Sequence, residues 1–449
     1  MNIRSHYQEH LSPYFQNLYN KHVKNDLKTN LWNAFVDSNL SGINEDDCTI
    51  FPRILPGSYL PVIEKVSREL SLFSLRFLSL PEKEIRAILP EGPIRDFLID
   101  DLQVLKYRNG RITGSFRFDM AIVGEPEKEN PPKLLELNEI GFDGLARSSF
   151  IQKTMLEIMP ELGRHVFALD TAKAEAQNMR RLGKKIARFQ YDSYNWEEEV
   201  LIQKSKDEGV DVRMISPKQF RAQPGKEEPL LLKENVTLSK GRIKIGSDYY
   251  PDGLQMGFSY ELSDYKMAAQ MYRDIVRSKT PMYGSFLTGL VASKIILVLF
   301  SDPSLRRKLL GTADALKDVI LPAAVLKGQE EEVKNHYQDK VIKHIDGMGG
   351  EMVFMDQDLL RTLKKIPPSE RTHWVVQKRT KLNTILVNGI LSKPRRVISD
   401  LGVFVQYDWS KDKFQHFGVG GFITRATNRS FKVNVSGGGI QVPVMFTKK

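Results

Sequence analysis

Two short stretches of sequence decide the fold expected for this chain: ITGSFRFDMAIV at 112–123 and LLELN at 134–138. Each is a largely apolar, strand-like run that carries two polar residues, Arg117 and Asp119 in the first and Glu136 and Asn138 in the second. In a β-strand, residues two apart lie on the same face. If the two strands pair through the charged loop between them, the four polar side chains converge on one side of a sheet.

This group of side chains has the composition of a metal site. Carboxylate and amide oxygens are hard ligands, which Mg²⁺ prefers, and the ion completes its octahedral shell with water and nucleotide phosphates. Asp119, Glu136 and Asn138 are therefore candidate metal ligands. The alternative is an exposed strand face with ordinary charges, and the pattern by itself leaves both interpretations open.

The composition indicates a protein with several lobes. At 449 residues, 41% hydrophobic and 27% charged, the chain is too long for one ordinary domain, so two or three lobes are expected. The single cysteine, Cys48, cannot form an intrachain disulfide, and residues 1–19 contain no apolar signal-peptide core. The most apolar stretch, 284–300, is shorter than the ~20 residues that span a bilayer. A cytoplasmic protein without a membrane partner is expected.

The positive charge is concentrated near the end of the chain. The formal net charge is +11, and residues 361–449 hold 17 Lys and Arg against 4 Asp and Glu, a local net of +13. Such a segment indicates an anionic partner, either a nucleotide or a nucleic acid, or it is simply a solvated surface. Charge alone does not choose among these.

Changes in hydrophobic periodicity divide the chain into four predicted regions: a helical region (1–100), a strand-rich region (101–170), a region of alternating strands and helices (171–265) and a mixed region (266–449). Two local predictions fall within them. The pair Asn109-Gly110 predicts a hairpin between strands at 104–107 and 112–123. The apolar run Phe286–Leu299 predicts one helix that carries Lys294 in its interior.

Three further elements have the residue types of a phosphate site. Lys343 ends a strand before the glycine-rich turn Gly347–Gly350, and glycines let backbone N–H groups approach phosphate oxygens closely. Lys294 must either reach the surface or lie against an anion, because an unpaired buried ammonium is costly. Arg425 follows the Gly420-Gly421 pair, which we interpret as a turn that aims a cation at a transferring phosphoryl group. Each pattern alone also fits an ordinary turn or surface residue.

Taken together, these elements resemble the circularly permuted ATP-grasp proteins, a group that includes the synthetase part of glutathionylspermidine synthase and its bacterial relatives. The resemblance covers most of the chain from about residue 102 to residue 444. It implies an α+β fold in which two α+β lobes hold ATP between them. The region 101–170 would supply the metal-ligand strands, 171–265 a small α/β lobe, and 266–449 the nucleotide-binding lobes, behind the helical N-terminal region.

The resemblance also implies roles for the matching acidic and basic residues. Asp119, Glu136 and Asn138 would bind Mg²⁺, and Arg117 would stabilise the oxyanion of the reaction. Arg425, in the sequence GGFITR, would contact the γ-phosphate of ATP.

The remaining matches are to the nucleotide. Lys294 and Lys343 would contact the ATP phosphates, and Gly349 and Gly350 would belong to the loop that covers them. Gln377, in the run Val-Val-Gln, resembles the adenine hinge, and Asn434 resembles the start of the closing motif NVSGGG.

The order of these elements favours the permuted version of the family. An ordinary ATP-grasp chain places its lysines before its carboxylate ligands, whereas here Asp119, Glu136 and Asn138 precede both lysines. Two departures stand out. The family often has Leu-Arg where this sequence reads Leu401-Gly402, and proline is common where His344 follows the lysine.

The resemblance implies an ATP-dependent ligase that joins a carboxylate to an amine through an acyl phosphate, with a small-molecule or peptide acid and an amine as substrates. Two alternatives stay open. A covalent nucleotidyl transferase acting on nucleic acid would use Lys343, but that chemistry wants Lys-x-Asp-Gly and the sequence reads Lys-His-Ile-Asp-Gly. A non-catalytic ATP-binding scaffold is the other.

Overall fold

The computed structural model describes residues 52–124, 130–139, 144–189, 196–215, 235–256, 273–347, 352–387, 395–427 and 440–448. Three residues with a predicted role, Gly349, Gly350 and Asn434, lie outside these ranges, as do the glycines at 437–439.

The strands are β1 (Arg53–Leu55), β2 (Arg111–Ala121), β3 (Lys133–Glu139), β4 (Val166–Phe167), β5 (Lys185–Phe189), β6 (Asp211–Ile215), β7 (Val236–Ser239), β8 (Arg242–Ile245), β9 (Gly253–Met256), β10 (Met282–Tyr283), β11 (Ala323–Val325), β12 (Lys340–His344), β13 (Val353–Phe354), β14 (Trp374–Lys378), β15 (Asn383–Val387), β16 (Arg395–Ser399), β17 (Leu401–Ser410), β18 (Lys413–Thr427), β19 (Ile440–Val442) and β20 (Val444–Thr447). The α-helices are α1 (Leu60–Leu78), α2 (Glu82–Ile88), α3 (Pro93–Tyr107), α4 (Leu145–Ile158), α5 (Leu162–His165), α6 (Thr171–Arg180), α7 (Trp196–Asp207), α8 (Gly289–Ala292), α9 (Ile296–Ser301), α10 (Pro303–Leu310), α11 (Glu330–Asn335) and α12 (Asp356–Lys365). Short 3₁₀ helices cover Gly57–Tyr59, Phe286–Thr288, Tyr337–Asp339 and Pro368–His373.

Strand β2 is the centre of an 11-stranded mixed sheet, whose path runs β15-β16-β18-β17-β2-β10-β9-β5-β6 with β3 beside β2 and β19 beside β18. One edge of β2 pairs with the antiparallel strand β17. Along its other edge, residues 116–121 pair with the antiparallel strand β3 and residues 112–113 with the parallel strand β10, beyond which β9, β5 and β6 continue in parallel. Within the region 171–265, helix α7 lies between the parallel strands β5 and β6, an alternation of the kind that was expected there. Strands from several predicted regions join this one sheet, and the region boundaries themselves stay predictions.

A separate four-stranded antiparallel sheet has the order β11-β14-β12-β13. It lies against the large sheet at β3, where Lys343 Nζ of β12 donates to the Leu135 carbonyl at 2.9 Å and Gln377 Nε2 of β14 donates to the Leu134 carbonyl at 3.3 Å. Its own apolar core includes Ile342, Val376 and Leu359, packed under α12. The second sheet therefore presents its side chains to the edge strand β3.

The two faces of β2 differ in character. Phe116, Phe118 and Met120 are fully buried in the main apolar core, and Phe116 stacks on Tyr407 with ring centroids 4.2 Å apart. The opposite face carries Arg117 and Asp119, and we call it the site face. The alternation of side chains along β2 thus places apolar residues on the core face and charged residues on the site face.

The predicted hairpin at Asn109-Gly110 is wrong. Residues 104–107 end helix α3, so the pair connects a helix to strand β2. Asn109 has a left-handed backbone (φ 51°), as is common after a helix. A Cβ at Gly110 would lie 2.0 Å from Leu105 Cδ1, so glycine is required by this close approach. The Asn-Gly pair marked a turn correctly but gave no information on the element before it.

The predicted helix Phe286–Leu299 is also wrong as a single element. A 3₁₀ turn leads into α8, the chain extends at Ser293 (ψ 142°), and α9 begins at Ile296. The Lys294 N–H and the Ser293 hydroxyl both donate to the Ile345 carbonyl, at 2.9 and 3.0 Å. Because the helix is interrupted at Ser293, the backbone of Lys294 can hydrogen-bond to Ile345, the residue that follows β12. No helix in the described residues is long and apolar enough to cross a membrane.

Glu139 lies on the core face of β3, opposite Phe116, and its carboxyl is buried. Its Oε1 accepts hydrogen bonds from the Tyr407 hydroxyl at 3.1 Å and the Ser285 N–H at 3.3 Å. Burial raises the pKa of Glu139 to about 8, against smaller opposing effects of hydrogen bonds from Thr288, Ser285 and Tyr407. The carboxyl is therefore mostly protonated at neutral pH.

This gives a first prediction. Because the pKa of Glu139 is higher in the folded protein than its ordinary value of 4.5, its stabilising contribution is complete below that value and is lost as pH rises through about 8. We expect the free energy of unfolding, measured in urea, to fall over this interval by up to roughly 5 kcal/mol more in the wild type than in Glu139→Gln. Glu64→Gln, an exposed change on α1, is the control. Equal pH slopes for the wild type and Glu139→Gln would contradict the assignment.

Candidate functional site

The register of β2 and β3 brings the four polar side chains together as predicted. Arg117 lies opposite Asn138, and Asp119 lies opposite Glu136, so all four share the site face. Opposed residues in an antiparallel pair have neighbouring side chains, which is why short strands with this spacing can build a compact polar cluster.

Asp119 is the fully buried centre of this cluster. Arg117 binds it with two hydrogen bonds, from Nε to Oδ1 at 2.8 Å and from Nη2 to Oδ2 at 3.1 Å. The Asn138 amide donates to Oδ2 at 2.8 Å, and Arg425 Nη2 donates to the same oxygen at 2.7 Å. A buried carboxylate needs such partners, since an isolated charge in the interior is very costly.

Gly402 makes room for this ion pair. It lies opposite Asp119 on strand β17, at the position where the family resemblance suggested an arginine. A Cβ there would lie 2.8 Å from Ile423 Cγ2, 3.2 Å from Arg117 Cδ and 3.3 Å from Asp119 Oδ1. The family often has an arginine at this position, and here the space beside Gly402 is taken up by the Arg117 side chain.

Arg425 reaches the cluster from strand β18, held by Asp400 between β16 and β17. The Arg425 N–H donates to Asp400 Oδ1 at 3.0 Å, and its Nε donates to Oδ2 at 3.0 Å; Nη2 also bonds to Oδ2. Burial alone lowers the pKa of Arg425, but the carboxylates of Asp119 and Asp400 outweigh this and raise it above its ordinary value. The guanidinium is therefore permanently charged.

The pair Gly420-Gly421 is not a turn, which corrects the interpretation made from the sequence. Both glycines lie inside strand β18. A Cβ at Gly421 would lie 1.8 Å from Thr171 Oγ1 at the start of α6, and a Cβ at Gly420 would lie 1.9 Å from Gln406 Nε2. The glycines allow helix α6 and the Gln406 side chain to pack directly on the strand that carries Arg425.

Lys294 pairs with Glu136, its Nζ lying 3.1 Å from Glu136 Oε2. The ammonium therefore lies against an anion, one of the two outcomes expected for it. Burial alone raises the pKa of Glu136, but the nearby charges of Lys294, Lys343 and Arg425 hold it well below the ordinary value. Glu136 is ionised at neutral pH.

Lys343 and Gln377 extend from the four-stranded sheet to the backbone of β3. Lys343 Nζ donates to the Leu135 carbonyl at 2.9 Å, and Gln377 Nε2 donates to the Leu134 carbonyl at 3.3 Å. Both side chains are buried. Burial lowers the pKa of Lys343 to about 8, although Glu136 opposes the shift. Two lysines from separate elements thus flank the carboxylate edge of β3.

A Mg²⁺ ion needs hard oxygen ligands, and the partly exposed Glu136 can supply them beside Lys294. Asn138 directs its amide nitrogen at Asp119 and Glu136, at 2.8 and 3.4 Å, so its oxygen would serve as a ligand only after the amide rotates. Asp119 has no exposed surface, and four donor contacts already engage its oxygens. In this arrangement Asp119 is a counter-ion of two arginines. The described residues contain no group of three or more His, Cys, Asp and Glu that could hold a metal.

Two acidic residues of this region were not found by the sequence reasoning. Asp400 holds Arg425, and Asp346 lies with both carboxylate oxygens 3.3 Å from Arg95 Nη1 on helix α3. Neither belongs to a motif of polar residues two apart in a strand, because Asp400 lies between two strands and Asp346 in a turn. Among the acidic residues of this region, only Asp119 and Glu136 stand in a spacing, Arg-x-Asp or Glu-x-Asn, from which a polar strand face could be predicted.

Comparisons with known proteins give a match in structure alone. No protein-family profile and no curated protein sequence matches the chain. A glutathione synthetase-like effector, GSS30, from Globodera pallida matches with a TM-score of 0.63 at 12% identity, over 88% of this chain and 89% of that one. At this identity the likeness shows a shared fold.

Two other solved structures overlap more weakly. The ATP-grasp ligase PsnB complexed with minimal precursor has a TM-score of 0.28 at 9% identity, over 53% of this chain and 89% of that one. D-alanyl-alanine synthetase A from Vibrio cholerae has a TM-score of 0.27 at 12% identity, over 49% and 66%. These overlaps are too small to support a conclusion.

The contact around Gly402 gives a second prediction. Gly402→Ala places a methyl group against Ile423, Arg117 and Asp119, so the free energy of unfolding should drop by about 1–3 kcal/mol. Gly289→Ala is the matched control, because its Cβ would meet only Leu98 at an ordinary 3.8 Å in helix α8. Urea unfolding of both variants checks this. Equal stability of Gly402→Ala and the wild type would show that the ion pair does not need this space.

Proposed function

We propose that this protein is an ATP-dependent carboxylate-amine ligase with permuted ATP-grasp motifs. One observation carries the proposal: four cations from separate elements gather around strand β3. Arg117 and Arg425 bind Asp119, Lys294 pairs with Glu136, and Lys343 binds the Leu135 carbonyl. The fold shared with a glutathione synthetase-like protein supports the same class. Convergence of cations beside a hard-oxygen edge is what binding a metal-nucleotide triphosphate requires.

The charge balance of the site supports an anionic ligand. Four buried or half-buried cations face the carboxylates of Asp119, Glu136 and Asp400, so positive charge is in excess. In a site of low dielectric constant such an excess attracts phosphate groups more strongly than it would in water. Lys294 and Lys343 are the residues we assign to the ATP phosphates, and Gln377 on β14 is assigned to the adenine side.

The proposed reaction has two steps. An oxygen of the substrate carboxylate attacks the γ-phosphorus, the bond to ADP breaks, and an acyl phosphate forms while Lys343 and Arg425 offset the charge on the phosphoryl oxygens. The amine nitrogen then attacks the acyl carbon, inorganic phosphate leaves, and the nitrogen loses a proton to give the amide. Arg117 is assigned to the tetrahedral oxyanion. Mg²⁺, held by Glu136 and Asn138 when bound, would supply Lewis-acid charge to the phosphates.

The rest of the assignment belongs to this proposal. Gly349 and Gly350 would cover the phosphates, Asn434 would begin the closing motif, and Asp119 would support the metal edge as a ligand or as a counter-ion. The acid is a small molecule or a peptide C-terminus, and the amine is an amino acid or a polyamine. A cytoplasmic location would supply the ATP.

A covalent nucleotidyl transferase is the second candidate, and one observation favours it. Burial lowers the pKa of Lys343 to about 8, which leaves part of its amine neutral and nucleophilic at neutral pH. However, Lys343 Nζ already donates to the Leu135 carbonyl. Intact-protein mass spectrometry after incubation with Mg-ATP separates the two, since only the transferase acquires a stable AMP adduct.

The central prediction concerns turnover. Purified protein should release phosphate from Mg-ATP and form ADP when pools of amino acids or short peptides are combined with pools of amines. Release should depend on both substrates, because the acyl phosphate is consumed only when an amine arrives. Phosphate release is measured enzymatically, and the nucleotide is identified by chromatography. AMP with pyrophosphate as products would contradict the acyl-phosphate route.

Glu136 gives a further prediction. Glu136→Gln removes the charge that pairs with Lys294 and that we assign to Mg²⁺, so turnover should fall at least about 100-fold and need more Mg²⁺. Glu64→Gln on α1 is the control for an ordinary loss of one negative charge. Circular dichroism confirms that both variants are folded. Near-normal turnover of Glu136→Gln would remove Glu136 from the site.

A further inference from the structure

Asp400 has a buried carboxylate, and both of its oxygens accept hydrogen bonds from Arg425. Its Oδ1 accepts the backbone N–H of Arg425, and its Oδ2 accepts Nε and Nη2 of the same residue. The side chain has 2% of its surface exposed. We propose that Asp400 is a positioning residue: it fixes the guanidinium of Arg425 in the orientation needed to face the transferring phosphoryl group. This inference rests on the proposed function.

The Arg425 guanidinium is held from two sides. Asp400 binds the edge formed by Nε and Nη2, and Asp119 binds Nη2 at 2.7 Å from the direction of strand β2. Within the described part of the chain no hydrogen bond engages Nη1, and the side chain keeps 13% of its surface exposed. Two carboxylates therefore consume one edge of the planar fork, and the remaining nitrogen is left to meet an anion.

Asp400 can impose this orientation because its own backbone is held. Arg53, on strand β1, donates from Nη1 to the Asp400 carbonyl at 2.8 Å and to Thr424 Oγ1 at 3.2 Å. The Asp400 N–H donates to the Arg425 carbonyl at 3.1 Å. Asp400 and Thr424, the residue before Arg425, are thus both bound by one buried arginine that is far away in the sequence.

The expected consequence of this arrangement is kinetic. An arginine has a long, flexible side chain, and immobilising it in advance removes an entropy cost from the reaction. Without Asp400 the guanidinium still pairs with Asp119 but can rotate about that single contact. Binding of ATP through Lys294 and Lys343 should survive, whereas stabilisation of the charge that develops on the phosphoryl oxygens should weaken.

The first experiment compares Asp400→Asn with Asp408→Asn. Asp408 lies on the adjoining strand β17 and accepts hydrogen bonds from Arg111 and Thr113, so the control removes the same charge from a more exposed ion pair away from the site. We expect Asp400→Asn to lower kcat about 10–100-fold with KM for ATP changed less than about threefold, and Asp408→Asn to leave both near wild type. Equal effects of the two substitutions would overturn the proposal.

A double-mutant cycle distinguishes positioning from a general structural role. If Asp400 acts through Arg425, adding Asp400→Asn to Arg425→Ala should lower kcat no further. An additional loss of about tenfold in the double variant would mean that Asp400 acts by another route. Arg425→Lys should have a kcat no higher than that of Arg425→Ala, because a lysine ammonium lacks the two-nitrogen edge of the guanidinium that Asp400 binds.

A third measurement needs no turnover, so it tests the positioning even if the proposed ligase activity fails. The Arg425 Nε–H resonance, assigned by its absence in Arg425→Lys, should exchange slowly with solvent in the wild type and in Asp408→Asn. In Asp400→Ala its exchange should accelerate at least about tenfold, since its acceptor is gone. An unchanged Arg425 resonance in folded Asp400→Ala would refute the positioning role directly.

Discussion

The buried carboxylate of Asp119 is the contact on which the organisation of the site depends. It has no exposed surface, and it is compensated by Arg117 from its own strand, by Asn138 from β3 and by Arg425 from β18. Removing one partner of a buried ion pair costs far more than the pair contributes, because the other charge is left without compensation. Side chains from three strands of the large sheet therefore meet at one carboxylate, and the cations around it are placed where a ligand with phosphate groups could meet them.

The glycines near the site follow from the same requirement for close approach. Gly402 leaves the volume that Arg117 and Asp119 occupy, while Gly420 and Gly421 let Gln406 and helix α6 rest on the strand that carries Arg425. A position without a side chain can thus be as necessary to a charged cluster as the charges themselves. The absence of an arginine at 402, which looked like a departure from the family, is in the structure a condition for the ion pair next to it.

The site is completed by a second sheet, which explains why its lysines lie so far along the chain. Strands β12 and β14 bring Lys343 and Gln377 to the carbonyls of Leu135 and Leu134, and the break before α9 brings Lys294 to Glu136. Both lysines bind the same short strand that carries Glu136 and Asn138. Any movement of the four-stranded sheet relative to β3 would therefore change the distance between Lys343 and the Glu136 carboxylate. A nucleotide bound at the interface between the two sheets could contact both of them.

The period-two spacing predicted that Arg117 shares a strand face with Asp119, and Glu136 with Asn138, because alternation in a strand is set by local backbone geometry. That the two strands pair and bring all four side chains together was decided by the tertiary structure. Local patterns failed where tertiary contacts decide: residues 104–107 form a helix, the run at 286–299 breaks at Ser293, and the glycines at 420–421 lie within a strand. The partners of Asp119 and Arg425, above all Asp400 and the carbonyls of β3, come from distant parts of the chain. Their contacts depend on how sheets pack against each other, and no short-range pattern in the sequence encodes that packing.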